Sequence, residues 1–581
     1  MNDILIYDLE ADSKNPKEAN LKWFGAYSFK NDKYFLLPYT KNLEIENLIK
    51  KHKILIGFNN KHYDNSVIEK FFQDKLDLFE YKIIVDLYEI SAPKGFGSFG
   101  KYNKNRLPQM GYDLKSYSLD NISKSLGLDD SNKGEIDYSI FQKKEWTEKE
   151  IEQIKEYLKQ DIVLTKKLYE WYEEKFEPLK KFLPEDKQRK IKHINSSLSS
   201  LSYQTICHKA GLSVEWNDKK PKNHKSYEGG HHLENRENLV KGNIVEIDFT
   251  SAYPHAFLMG NLYYPVERGE GWNGGDYFNL NGVYNDTKMS VIGKALRDIL
   301  RERLKAKKND EKAKNLSYKI VINSAYGLTG NYKFKTLYNL TTASDCTKIV
   351  RTWLRKIAKT LEENGFFCIY GFTDSIFVKI PPESNKEELM FLVNKCIEDI
   401  KQNMPFPQDT FGMDIDEEIK LIWFVAKNVY LYVTKDNQIK YKNTLFNKNT
   451  PKAVMQVFNK YMSKKIINDL DVNFTQAELE TALKQILKDN PEYSAEEYKV
   501  GSPGNYNVTS SLYYQIAKKY GAGRHFLIPN TKGIGVGKAK NYCTLEEFKQ
   551  NNLTHEDINI KQLMQHLNPF IRNKQKQTKL K

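Results

Sequence analysis

The sequence predicts a multidomain chain that combines α/β and α+β units, and three observations carry that expectation. At 581 residues it exceeds what a single hydrophobic core serves, so roughly three to five packed units are expected. Residues 1 to about 175 alternate short apolar runs, such as Ile4 to Leu9 and Lys53 to Phe58, with helical stretches, the pattern of an α/β domain. From Asn243 onward, strand-like runs ending in aspartates flank a helical hairpin, the mixture expected of an α+β region.

The elements follow in order. Thr147-x-x-Glu150 is a candidate capping box. The helix it opens carries an apolar stripe, Ile151, Ile154, Leu158 and Ile162, which leaves Tyr157 and Asp161 one turn apart on a neighbouring face. A charged, helix-like connector runs to about residue 240. Within Asn243 to Phe249, strand alternation puts Ile244, Glu246 and Asp248 on one face and Val245, Ile247 and Phe249 on the other. A helical hairpin is expected next, with arms from Val291 to about Lys308 and from Leu316 to Tyr326, turning at Asn309-Asp310. A β-hairpin spans Phe366 to Val378, and after about residue 440 the sequence becomes basic and mixed, ending in a tail from Arg572 to Lys581 with five basic residues and no acid.

Lys plus Arg number 90 against 75 Asp plus Glu, a net charge of +15. A Lys-rich composition bias would produce this, and so would a polyanion partner, since basic surface is the footprint of phosphate-backbone binding. The cysteines at 207, 346, 368, 396 and 543 form no CxxC pair and no zinc-ligand spacing, so reduced thiols in a cytosolic protein are expected. The start, with acids at positions 3, 8 and 10, does not read as a signal peptide, and no run approaches the roughly 18 apolar residues of a membrane span. A soluble, cytoplasmic, monomeric protein without a membrane partner is the expectation. Two glycine runs mislead: Gly95 to Gly100 fits G-x-G-x-x-G but lacks the strand before and the helix after, and Gly533 to Lys538 has the wrong spacing for a phosphate loop.

The chemistry sits in two ordered sets of motifs. Downstream, Asp248-Phe-Thr-Ser-Ala-Tyr253-Pro254 and Tyr370-Gly-Phe372-Thr-Asp374-Ser375 each place an aspartate at the end of a strand-like run. A carboxylate there, facing another at a hairpin tip, can bridge two Mg2+ ions that activate a hydroxyl and stabilise a leaving pyrophosphate. Between them, Lys319, Asn323 and Tyr326 share one helix face at i, i+4 and i+7, while Arg303 and Lys307 share a face of the preceding arm. Cations so placed neutralise charge on phosphoryl oxygens.

This set and its order closely resemble the family B DNA polymerases, whose palm and fingers carry DxxSLYP, KxxxNSxYG and YxDTDS. Ala252 and Phe372 replace a leucine and an aspartate of that pattern. The resemblance implies Asp248 and Asp374 as metal ligands, Lys319 on the incoming triphosphate with Arg303 and Lys307 opposite, Asn323 and Tyr326 around the nascent base pair, and Tyr253 beneath the sugar as a gate against a 2′-hydroxyl. It implies a right-hand polymerase: a connector over 176–240, palm over 241–290 and 328–440, fingers over 291–327, and a thumb with basic tail over 441–581. Phe372 opens a different reading, a polymerase that is impaired or that recruits another carboxylate such as Glu246. Tyr227, Gly229 and Gly230 resemble the YxGG segment that meets the template strand. Lys427 and Tyr430 match the family's primer-contacting KxY only in part, the lysine lying one residue too far away.

Upstream, Asp8 and Glu10 end the first strand on one face, Asn60, Tyr63 and Asp64 follow a second, and Tyr157 and Asp161 lie on the capped helix. The four carboxylates can form a metal cage, and the pattern resembles RNase H-like DEDD-type 3′-5′ exonucleases with a tyrosine in the last motif, over residues 1–175. That implies Tyr157 orienting the attacking water and Asn60 and Tyr63 contacting the strand. Ser118-Leu119 and Lys133 resemble further motifs of compact phage polymerases that hold single-stranded DNA.

The implied activity is a DNA-directed DNA polymerase with proofreading exonuclease, replicating viral or mobile-element DNA. Its cofactor would be Mg2+, with Mn2+ as substitute, two ions at each site, and its substrates primer-template DNA and dNTPs. The short intervals from Asp248 to Lys319 and from Tyr326 to Tyr370 leave little room for the subdomains of protein-primed enzymes, so protein priming is the runner-up to an ordinary primer. The residues also leave open a polymerase-impaired exonuclease and a non-catalytic DNA-binding replication factor. A terminal protein, a clamp and a single-strand binding protein stay open as partners.

Overall fold

The computed structural model describes residues 3–571 apart from 74–77, 95–102, 113, 115, 129–135, 184–190, 222–228, 230–231, 234–236, 263–288, 427–428, 443–445, 447–449, 502, 507, 522 and 538–540. Two compact units emerge, each assembled from two separated stretches of chain: Met1–Lys225 with Ser290–Ala343, and Ser226–Met289 with Ser344–Lys581.

The first unit is built on a five-stranded sheet of β1 (Ile4–Ala11), β2 (Leu21–Ser28), β3 (Lys33–Pro38), β4 (Ile54–Gly57) and β5 (Ile83–Asp86), in the order β3-β2-β1-β4-β5. β1, β4 and β5 run parallel, and the β1–β2 and β2–β3 pairs are antiparallel. Near-continuous apolar stretches suit β1 and β4 to burial on both faces, as parallel strands require. The capped helix is present as Glu148–Lys180, with Thr147 and Glu150 satisfying each other's backbone N–H groups. Its stripe of Ile154, Leu158 and Ile162 is fully buried. Gly25 on β2 makes this close seating feasible, because a Cβ there would fall 2.4 Å from Ile162 Cδ1 and 2.7 Å from Leu158 Cγ.

The helical hairpin belongs to the same unit. Its arms are Val291–Lys308, capped by Ser290, and Lys312–Gly330, which begins earlier and ends later than the sequence suggests. The second arm packs against the long helix and against a shorter one, Leu198–Lys209.

The second unit holds a seven-stranded antiparallel sheet: β6 (His232–Leu233), β7 (Leu239–Phe249), β8 (Phe367–Phe372), β9 (Ser375–Lys379), β10 (Met413–Ala426), β11 (Val429–Thr434) and β12 (Ile439–Lys442), ordered β12-β11-β10-β7-β9-β8-β6. The face bearing Phe249 is covered by helix Leu340–Glu363, with the Phe249 ring 6.1 Å from Trp353 and 5.5 Å from Phe411. The opposite face bears Glu246 and Asp248.

Downstream, helices and a small sheet of β13 (Glu496–Val500), β14 (Gly523–Asn530) and β15 (Asn541–Cys543) follow. Their core is continuous with β10 and β11, joining Leu421, Trp423 and Leu431 to Phe458, Leu483 and Phe570. The second glycine run closes against β15: a Cβ on Gly535 would lie 1.9 Å from the Tyr542 carbonyl oxygen. That packing makes it a tight structural turn rather than a phosphate loop.

Two candidate active sites

In the first unit, Asp8 and Glu10 leave β1 beside a register shift between Glu10 and Ala11, a device that re-aims side chains at sites. Asp161 meets them from the long helix. Among the described residues these three form the cluster whose ligand oxygens all lie within 4.8 Å of one another. Asp64, the first residue of helix Asp64–Phe71, borders the same cleft of about 590 Å³, together with Tyr63, Ser118, Leu119, Tyr138 and Tyr157. Burial pushes the Asp64 carboxyl up, Asp86 and Asp161 add to the rise, and the Leu9 N–H draws it back. Tyr157 is likewise raised by burial and then by Asp161 and Glu10, so its phenol stays a proton donor. Three carboxylates whose oxygens converge within 4.8 Å are the donor chemistry of hard divalent ions, so this set fits a metal centre.

Asn60 is fully buried beneath the cleft, where its amide donates to the Tyr7 hydroxyl at 2.8 Å. The turn folds it inward because Asp86 holds the neighbouring backbone, accepting from Asn59 N at 2.9 Å and Lys61 N at 3.2 Å. Of the four carboxylates expected to form the cage, Asp8, Glu10 and Asp161 make a tight triad with Asp64 alongside. Tyr63 does line the cleft, its hydroxyl donating to the Ser13 carbonyl. Ser118 caps helix Leu119–Ser125 and lines the cleft as well. Lys133 lies outside the described residues.

Sequence reasoning missed Asp86 and Tyr138. Asp86 had a local signal, a strand-ending aspartate that caps helix Leu87–Ser91. Tyr138 had none: its ring is 51 % exposed, sits at the cleft with Lys14 Nζ 5.6 Å from its centroid, and hydrogen-bonds Tyr157.

In the second unit, backbone register assembles the downstream set. Asp414, Asp248, Ser375 and Phe372 are successive cross-strand partners on β10, β7, β9 and β8, so they stand in one row on one sheet face. Asp374 occupies the β8–β9 turn, where Thr373 takes a left-handed φ of 60° and the Phe249 N–H donates to the Asp374 carbonyl at 3.1 Å. Burial, then the charges of Asp374 and Glu246, push the Asp248 carboxyl up to about 7. Asp374 is raised by burial too. Two neighbouring carboxylates whose negative charge is this costly are a fitting seat for a cation.

Glu246 is buried one row behind, paired with Phe377 and Glu417. Phe372 continues an aromatic surface, its ring 6.5 Å from Tyr370, which packs on Phe377 and Tyr430. Tyr430 is 4 % exposed and pairs with Phe424 inside that cluster, since alternation on β11 turns it toward Tyr370. Tyr253 is half-buried in the first turn of helix Ala252–Met259, after Ser251 at φ 57°. The Gly229 carbonyl accepts from buried Arg351 at 2.6 Å. Tyr227, Gly230 and Lys427 lie outside the described residues.

The cation set lies on the hairpin of the first unit. Lys319 and Asn323 are exposed and Tyr326 half-buried along one face of the second arm, as their spacing requires. On the first arm, Lys307 is exposed and Arg303 half-buried, with burial drawing its guanidinium down.

Comparison with known proteins adds to this geometry. The DNA polymerase family B profile matches residues 183–502, and the RNase H superfamily profile matches residues 5–173. DNA polymerase 1 of Saccharolobus solfataricus is 29 % identical over 241 residues, covering 37 % of this chain and 25 % of that protein. A DNA polymerase of Bombyx mori nuclear polyhedrosis virus is 27 % identical over 284 residues, covering 42 % of this chain and 26 % of that protein. The matched stretch thus spans about a quarter of these relatives' length. A solved family B DNA polymerase from Pyrobaculum calidifontis shares the fold at a TM-score of 0.59 and 13 % identity, over 98 % of this chain and 78 % of that one.

Proposed function

This chain belongs to the family B DNA polymerases and carries an RNase H-like domain before the polymerase region, and on that premise we propose that it is a DNA-directed DNA polymerase that proofreads its own product. The observation that carries the proposal is the β7–β9 register, which brings Asp248 beside the turn holding Asp374 on one sheet face. Asp248 and Asp374 would hold Mg2+ ions at the polymerase centre, and Asp8, Glu10, Asp64 and Asp161 would hold a second pair at the exonuclease centre. Bound there, divalent ions would lower the pKa of the attacking hydroxyl or water and offset charge on the leaving group.

The chain's own residues do the rest. Lys319 and Arg303 bind the triphosphate of a dNTP, Asn323 and Tyr326 border the base pair, and Tyr253 excludes a ribose 2′-hydroxyl by bulk. In the first unit, Tyr157 stays protonated and donates a hydrogen bond that aligns water on the scissile phosphate, while Tyr63, Ser118 and Leu119 hold the frayed strand. Phe372 supplies apolar packing where the family pattern has a carboxylate, so Asp248 and Asp374 would carry the metal alone or with Glu246 behind them. Priming from an ordinary 3′-hydroxyl is favoured by the short interval between Asp248 and Lys319.

Primer extension with Mg2+ tests this directly. The parent should incorporate dNTPs and Asp374→Ala should not; a parent that adds no nucleotide to a primed template overturns the proposal.

A further inference from the structure

Between the long helix and the hairpin lies a charge cluster that neither active site uses. Glu302, on the first arm, accepts a hydrogen bond from the Tyr318 hydroxyl on the second arm at 2.8 Å. Lys209, ending helix Leu198–Lys209, lies 3.4 Å from the same carboxylate, and Lys181, just past the long helix, lies 3.6 Å away. Tyr318 is fully buried, and its ring is 6.3 Å from Phe182, over which Lys181 and Lys209 both sit. Partial burial pushes the Glu302 carboxyl up, but the phenol and these cations outweigh it and draw the group below its ordinary range.

Sequence position gives the cluster its meaning. Glu302 immediately precedes Arg303, and Tyr318 immediately precedes Lys319. Successive residues on a helix are turned by about 100°, so fixing residues 302 and 318 against each other fixes the rotation of both arms. That rotation decides where the next residue on each arm points. The other end of the same long helix carries Tyr157 and Asp161, so the anchor of the hairpin is also the scaffold of the exonuclease centre.

We propose that the Glu302–Tyr318 pair, anchored by Lys181 and Lys209, is a positioning clamp that sets the two nucleotide-binding cations Arg303 and Lys319 in register. The proposal rests on the polymerase reading above for the role of those cations. Glu302 does not touch the nucleotide; it acts through the helix rotation that it fixes. Glu302→Gln keeps an acceptor for Tyr318 but removes the charge that holds both lysines, and Tyr318→Phe removes the hydroxyl alone.

The test compares these variants and the parent in single-nucleotide incorporation, in single-strand degradation, and in amide hydrogen exchange of the two arms without substrate. Hydrogen bonds to charged groups are worth enough to predict a roughly 10-fold rise in KM for dNTP. The value of kcat should stay within about two-fold and degradation should be unchanged, because the clamp aligns binding groups and leaves the chemistry alone. The double variant should be no worse than the weaker single one, since the two groups act as one unit. Exchange over Val291–Lys308 and Lys312–Gly330 should quicken in both variants. Unchanged KM and unchanged exchange in both variants would overturn the clamp. A parent that incorporates nothing would overturn the polymerase reading instead, with exchange still deciding whether the clamp exists.

Discussion

Asparagine at position 248 should make the protein more stable while disabling polymerisation. The folded Asp248 carboxyl is pushed up to about 7 from 3.8, whereas in the unfolded chain it ionises near its ordinary value. Between those limits the unfolded state releases a proton that the folded state keeps, so stability falls as pH rises from about 4 to about 7 and is level above. At about 1.36 kcal/mol per pH unit the full cost approaches ~4 kcal/mol. Asp248 is only partly buried, and solvent screening brings this to about 1–2 kcal/mol. Asp248→Asn removes that cost. Thermal unfolding in EDTA at pH 8 should show the variant melting roughly 2–3 °C above the parent, for a unit of this size. The gap should vanish near pH 4 and narrow when Mg2+ is added to the parent. A variant that melts at or below the parent at pH 8, or a gap independent of pH, would refute this account of the site's electrostatics.

Further outcomes are equally open to measurement. Asp8→Ala with Glu10→Ala should abolish degradation of a single-stranded primer while extension continues; equal degradation by parent and variant removes the proofreading assignment. Tyr138→Ala should weaken single-strand binding at the exonuclease cleft by roughly 10-fold, the worth of one base stacked on an aromatic ring, and Tyr138→Phe should recover most of it; identical KM values for all three proteins would exclude stacking there. Gly25→Ala should cost about 1–3 kcal/mol from overpacking against Ile162 and Leu158 and should slow degradation by displacing Asp161; a neutral substitution would mean that the helix can retreat without loss.

Periodicity and motif order made the architecture legible: the capping box at Thr147, the strand ending at Asp248 and the hairpin tip at Asp374 all lie where local chemistry puts them. Local patterns failed where a residue's fate is decided by something distant in sequence. Asn60 was named from a motif after the second strand, which does not reveal that Asp86 gathers that turn's N–H groups and Tyr7 takes its amide. Tyr430 was named from a partial match to a three-residue motif, which says nothing of the packing that sets its ring against Tyr370 and Phe377. Tyr138 carried no sequence signal because its proximity to Tyr157 is created only by folding. Phe372 was legible as a departure, and its reason came from the sheet, where it extends an aromatic row built by Tyr370.

The way the chain divides has a consequence for its synthesis. The first unit needs Ser290–Ala343 as well as Met1–Lys225, and the intervening residues belong to the other unit. A ribosome releases the strands of the first sheet early, but Tyr318 and the hairpin that cover Phe182 and the connector emerge more than a hundred residues later than the helix they rest on. At roughly 5–20 residues per second the nascent N-terminal half spends several seconds with that apolar seat uncovered. A fragment cut after residue 225 would keep that apolar seat uncovered permanently and should aggregate more readily than the full chain.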